Sequence, residues 1–67
     1  MAKFVVYQDA AGEYRWRLVA GNGEKVAASE GYTRKYSAER SARRVRELAS
    51  SAEIVEEENV GLRGLLG

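Results

Sequence analysis

Arg15 and Arg17 flank Trp16 in the run Tyr14-Arg-Trp-Arg-Leu-Val19, and they are the first residues here whose types and spacing could do chemistry. On a strand, positions two apart point to the same side, so the two guanidiniums share a face on which each can fork onto a phosphate or a carboxylate. Tyr7 or Val5, from the first β-prone segment, would add apolar contact to that face, depending on register. The competing interpretation is a solvated sheet face whose cations pair with Glu30 or Glu24 on neighbouring segments. Trp16 shares its own side with Tyr14 and Leu18 and therefore reads as core rather than as a ligand platform.

A second cationic group follows in Arg34, Lys35, Arg40, Arg43, Arg44 and Arg46, interrupted by Glu39 and Glu47. Because Lys35 and Glu39 stand four apart, the stripe is mixed, and its arginines can also lie over an apolar face or meet an acidic segment. Tyr32 and Lys35, with Arg17, are candidates for a small-anion pocket at a seam between two copies. Glu56-Glu57-Glu58 offers hard oxygen ligands, but successive strand-end residues point to opposite sides, so it reads as a solvated charge run and not a metal site. Gly21-Asn22-Gly23 belongs to no strand–glycine-loop–helix order and carries no phosphate loop.

The residue inventory narrows the chemistry further. The 67 residues contain no His and no Cys, which removes nucleophile–His catalysis, disulfides and zinc-thiolate sites. No spacing organises the remaining Asp, Glu, Lys and Tyr into a catalytic set, so a non-enzymatic protein without cofactor or metal is expected. The net charge of +1 conceals a division. Residues 1–50 carry ten Lys/Arg against six Asp/Glu, a balance of +4, whereas residues 51–67 carry four Glu against Arg63, a balance of −3. A basic body with an acidic end can bind a polyanion or pair with itself. No apolar run reaches the roughly 20 residues of a membrane span, and the first residues lack a signal-peptide pattern. A cytoplasmic protein away from membranes is the expectation.

Three β segments must position the arginines. Lys3-Phe-Val-Val-Tyr-Gln8 is β-branched and aromatic, and Tyr14 to Ala20 alternates with period two. Asn22-Gly23 marks a hairpin in which both residues tolerate positive φ, and Lys25 to Glu30 is a weaker third strand. Gly31-Tyr32 breaks the sheet, with the tyrosine packing under the start of a helix. Ala38, Ala42, Val45, Leu48 and Ala49 then recur at helical spacing, predicting a helix over about 34–49, capped by Thr33 and ended by Ser50-Ser51. Ala52-Glu-Ile-Val-Glu56 predicts a fourth short strand, and residues 59–67 a frayed Gly/Leu tail. The fold class is α+β: an antiparallel three-stranded meander, one helix and a short C-terminal strand, in one domain over 1–58.

Phe4-Val-Val-Tyr7, Asp9 with Gly12-Glu13, Arg15-Trp-Arg-Leu18, Ala20, Asn22-Gly23, Ala28-Ser29 and Gly31-Tyr32 with Lys35 together resemble the YegP-like family of small domains of unknown function. The resemblance spans about residues 3–56, and Tyr36 and the tail depart from it. It implies a β3-α-β unit which, present once, forms a homodimer with a shared sheet and exchanged C-terminal strands. It implies no catalytic residues.

The residues argue for a dimer on their own account. An Ala-faced helix buries little area, so a lone copy has a thin core. Exchanging residues 52–56 would let Ile54 and Val55 finish the partner's sheet and close an exposed edge. The expected function is a homodimeric interaction or accessory domain. Nucleic-acid binding through Arg15, Arg17 and the basic helix is the second reading, and a small anion at the seam the third.

Overall fold

The computed structural model describes residues 1–57. β1 (Lys3–Gln8) pairs antiparallel with β2 (Tyr14–Val19) in an unbroken register from Lys3 opposite Val19 to Gln8 opposite Tyr14. β3 (Lys25–Ala28) pairs antiparallel with β2, giving the order β1-β2-β3. The register slips between Leu18 and Val19, where a bulge leaves Val26 outside the pairing. α1 (Lys35–Ser50) returns across β1 and β2 on one face of the sheet.

Both hairpins close by the same device. Gly12 and Gly23 have φ of 84° and 92°, and no other described residue has positive φ. Gly12 N–H donates to the Asp9 carbonyl at 3.0 Å and Asp9 N–H to that of Glu13 at 2.8 Å. Gly23 and Ala20 repeat the pattern at 2.9 and 2.8 Å with Ala20 and Glu24 as acceptors. Each loop is therefore a turn of ordinary φ followed by one left-handed glycine, the common three-residue hairpin connection. Asn22 accordingly does not take the positive φ expected of it; its Oδ1 instead accepts the Glu24 N–H at 3.1 Å.

Alternation along β1 and β2 splits the sheet into two faces. Phe4, Val6, Trp16 and Leu18 lie toward the helix, where the Phe4 and Trp16 rings meet edge to face with centroids 5.1 Å apart. Trp16, Ala38 and Ala42 are the buried hydrophobic residues, Ala38 completely so. Small side chains let the helix axis approach the indole closely and also keep the core thin. Ser41 Oγ ties the layers, accepting from Trp16 Nε1 at 2.9 Å and from the Tyr32 hydroxyl at 3.0 Å.

Three details differ from the sequence expectation. Beyond β3, Ser29 Oγ accepts the Trp16 N–H at 2.9 Å, and Tyr32 rejoins β2 through a two-bond bridge with Tyr14. Gly31-Tyr32 thus bends the chain without ending its attachment to the sheet, and Tyr32 does lie under the helix. The helix runs one residue later than 34–49, and Arg34, not Thr33, occupies the N-cap with extended backbone and no side-chain cap bond. Ser51 caps the C-terminus through its backbone N–H. Residues 52–57 form no strand with the described chain, and Ile54 and Val55 are 99% and 73% exposed. The three strands and one helix stand as expected, whereas the fourth segment is an unpaired arm. The tail 59–67 lies outside the described residues. No helix among them is long and apolar enough to cross a membrane.

Candidate binding surface

The strand alternation that sends Trp16 to the helix sends Arg15, Arg17 and Val19 to the opposite face, beside Lys3, Val5 and Tyr7 of β1, and no other element among the described residues covers it. Arg17 stands opposite Val5 and Arg15 opposite Tyr7, so both residues named from the sequence as apolar neighbours are present. The two arginines are held differently. Arg15 Nε donates to Asp9 Oδ2 at 2.6 Å and Nη1 to the Ser29 carbonyl at 3.3 Å, while Nη2 lies 3.9 Å from Glu13 Oε1. Its partners are the carboxylates of the first loop, not Glu30 or Glu24: the β1–β2 register sets Asp9 opposite Glu13 and so diagonally across from Arg15 on the same face. Arg17 instead lays its guanidinium on the Tyr7 ring, 4.7 Å from the centroid, and makes no ion pair among the described residues.

Asp9 is the organiser of this end of the face. Its Oδ1 accepts the N–H groups of Ala11 and Glu13 at 3.0 and 2.9 Å while Oδ2 holds Arg15. The Arg15 hydrogen bond, followed by the Glu13 N–H, holds the Asp9 carboxyl below its ordinary range, and the same bond raises Arg15. Arg15 is therefore a positioned cation with much of its fork committed, and Arg17 is the freer one.

The other candidates lie elsewhere. Tyr32 sends its hydroxyl to Ser41 on the helix side, opposite Arg17. Lys35 opens α1 and is exposed. Within one chain the structure therefore brings Arg15 and Arg17 together but does not bring Tyr32 and Lys35 to them. A separate groove of about 220 Å³ runs between β1 and α1, with Phe4, Val6 and Ala42 as its floor and Glu39, Arg43 and Arg46 as its rim. Sequence reasoning missed this groove, although Glu39, Arg43 and Arg46 at i, i+4 and i+7 mark one flank of the helix. It also missed Asp9, for which the Asp-Ala-Ala-Gly turn was the available signal.

Chemically, the open face offers a guanidinium over an aromatic ring and further cations at its margins, a surface suited to binding. Among the described residues no group of three or more Asp or Glu is placed to hold a metal ion.

Residues 9–56 match the family model described as "Domain of unknown function (DUF1508)". The chain is similar to the UPF0339 protein Atu0232 of Agrobacterium fabrum, 45% identical over 56 residues covering 84% of this chain and 90% of that protein. A solution structure of a protein from Haloferax volcanii superposes with a TM-score of 0.73 at 42% identity, over 84% of this chain and 95% of the other. The solution structure of ATU0232 from Agrobacterium tumefaciens gives 0.70 at 45% identity, over 84% and 90%.

Proposed function

The chain belongs to the DUF1508 family, the YegP-like group that its sequence resembles, and from that membership we propose that it is a homodimeric interaction domain that catalyses no reaction. Two copies associate by exchanging the segment around Ile54 and Val55, and the open Arg15/Arg17 face presents the binding surface.

The observation that carries this reading is the arm itself. Residues 52–57 project two β-prone apolar side chains into solvent, and among the described residues the outer strands β1 and β3 each have a free edge. An isolated edge and an isolated apolar strand are each a liability, and one operation on two identical chains removes both twice. Burying Ile and Val side chains is worth about 1.5–3 kcal/mol each, beyond the backbone pairing. Sedimentation equilibrium across the micromolar range tests the reading. The expected mass is twice 7.4 kDa, and a single-chain mass throughout would overturn it.

A second reading, nucleic-acid binding, draws on the Arg17–Tyr7 stack, since a guanidinium and an aromatic ring on an uncovered sheet can accept a base and a phosphate together. Exposed Arg40 and Arg44 on the helix would add charge. Its test is salt-dependent binding to a single-stranded oligonucleotide. The reading fails if the parent does not bind, or if Arg17→Ala binds equally well. A small anion at the seam lined by Tyr32, Lys35 and Arg17 is the third reading; within one chain Tyr32 and Arg17 lie on opposite faces, so such a pocket would draw them from different copies.

A further inference from the structure

We infer that the open face holds a single strand of nucleic acid along the direction of β1 and β2: a base stacks on the Arg17–Tyr7 pair, and the phosphates beyond it sit on Lys3 and Lys25. This rests on the nucleic-acid reading above and deepens it, and it does not depend on how copies associate.

The register divides the open face into three rungs. In the first, Lys3 of β1, Val19 of β2 and Lys25 of β3 stand opposite one another. The second holds Val5, Arg17 and Ala28, and the third Tyr7 and Arg15. Neighbouring strands lie about 5 Å apart and successive rungs about 7 Å, so the two lysines flank Val19 with Arg17 one rung away. Lys3 and Lys25 are exposed, and neither they nor Arg17 makes an ion pair among the described residues. Ammoniums on flexible four-carbon stems can close from both sides on a phosphate lying over the valine.

Charge is graded along the strands. At the third rung Asp9 and Glu13 sit against Arg15, and Asp9 takes its Nε. At the first rung the neighbouring acid is Glu24, which precedes Lys25 in the β2–β3 turn and pairs with neither lysine. A polyanion laid along the face is therefore repelled at the Asp9 end and drawn to the lysine end. Between the two ends the Arg17 guanidinium lies over the Tyr7 ring at 4.7 Å. A base of any identity can stack on such a pair. The combination selects a single strand, because a base paired in a duplex must first be unstacked to reach Arg17. α1 packs on the other face of the sheet, so Arg40 and Arg44 do not touch a short strand lying here.

The test is the salt dependence with which the full chain binds a short labelled oligothymidylate, with circular dichroism to check that each variant folds. Three phosphate contacts, at about −0.7 each on a single strand, set the slope of log affinity against log salt at about −2. Lys3→Gln/Lys25→Gln alters two exposed side chains, and should bring the slope to about −0.7 and weaken binding at low salt at least about ten-fold. Tyr7→Val keeps a β-prone residue without the ring, and should weaken binding about ten-fold with the slope unchanged. R40Q/R44Q removes the same charge from the helix side and should leave the slope as it is. If the parent binds through Arg17 but the lysine variant keeps its slope, the helix variant loses as much, Tyr7→Val binds equally well, or a duplex of equal length competes as strongly, this inference falls while the nucleic-acid reading stands. A parent that binds no oligonucleotide removes both.

Discussion

Asp9 Oδ2 accepts from Arg15 Nε at 2.6 Å while Asp9 Oδ1 accepts from the backbone of its own loop, so a single carboxylate fixes both the first hairpin and one cation of the open face. Because folding lowers the Asp9 carboxyl relative to the unfolded chain, the ionised form favours the folded state. That contribution is complete above the ordinary carboxylate value near 4 and is lost as pH falls through the lower folded value. Asp9→Asn keeps a turn acceptor and removes the charge. It is expected to lower the denaturation midpoint at neutral pH and to flatten the acid limb of stability against pH. Thermal melts between pH 7 and 2 check this, and an unchanged acid limb would show that Asp9 has no part in it.

Ser41 is the only side chain that holds both Trp16 and Tyr32 by hydrogen bonds among the described residues. Ser41→Ala leaves the indole N–H of a 6%-exposed tryptophan without an acceptor, a loss of about 1–3 kcal/mol. Ser41→Thr retains the hydroxyl and should lose less. Urea unfolding followed by the fluorescence of the single tryptophan measures both; equal stability of the alanine variant and the parent would mean that the hydroxyl bridge contributes nothing.

These relationships also show what a linear sequence can carry. Phe4, Val6, Trp16 and Leu18 announce a shared face because a half-buried strand has period two whatever its partner. Ala38 and Ala42 announce the helix seat in the same way, through the 3.6-residue period. Arg15 with Asp9 was not legible, because the pair lies diagonally across two strands and depends on the β1–β2 register and the length of the loop between them. The conformation of Asn22 was equally hidden, since strand stagger decides whether a turn needs one positive φ or two. Ile54 and Val55 were legible as β-prone, but β propensity describes a fit to a half-buried surface and does not say which edge supplies it. The Glu39/Arg43/Arg46 flank becomes a groove only once β1 runs beneath it.

Ala38 is completely buried where α1 crosses the sheet, and its size sets the helix–sheet distance. Ala38→Leu inserts three carbons where no space exists and is expected to cost about 1–3 kcal/mol through displaced packing. Ala49 lies on the same stripe three turns on but is exposed, so Ala49→Leu should stay within about 0.5 kcal/mol of the parent. Paired urea titrations compare the two. Similar losses at both positions would mean that helix composition, not contact with the sheet, governs the effect.

Arg34 sits at the helix N-cap with φ −121° and ψ 140°, the extended geometry of a cap, yet its side chain makes no cap bond and the first turn has no acidic residue. Ser37 N–H reaches the Arg34 carbonyl at 3.1 Å, but the start of α1 lacks both a side-chain oxygen acceptor and the negative charge that favour a helix start. Arg34→Asp supplies the two together without changing the backbone, and it replaces a cation at the positive end of the helix dipole. The expected gain is about 1 kcal/mol in folding stability, whereas Thr33→Ala, one residue outside the cap, should change little. Thermal melts of the two variants separate the positions. A destabilised Arg34→Asp variant, or a large loss in Thr33→Ala, would place the cap at Thr33 after all.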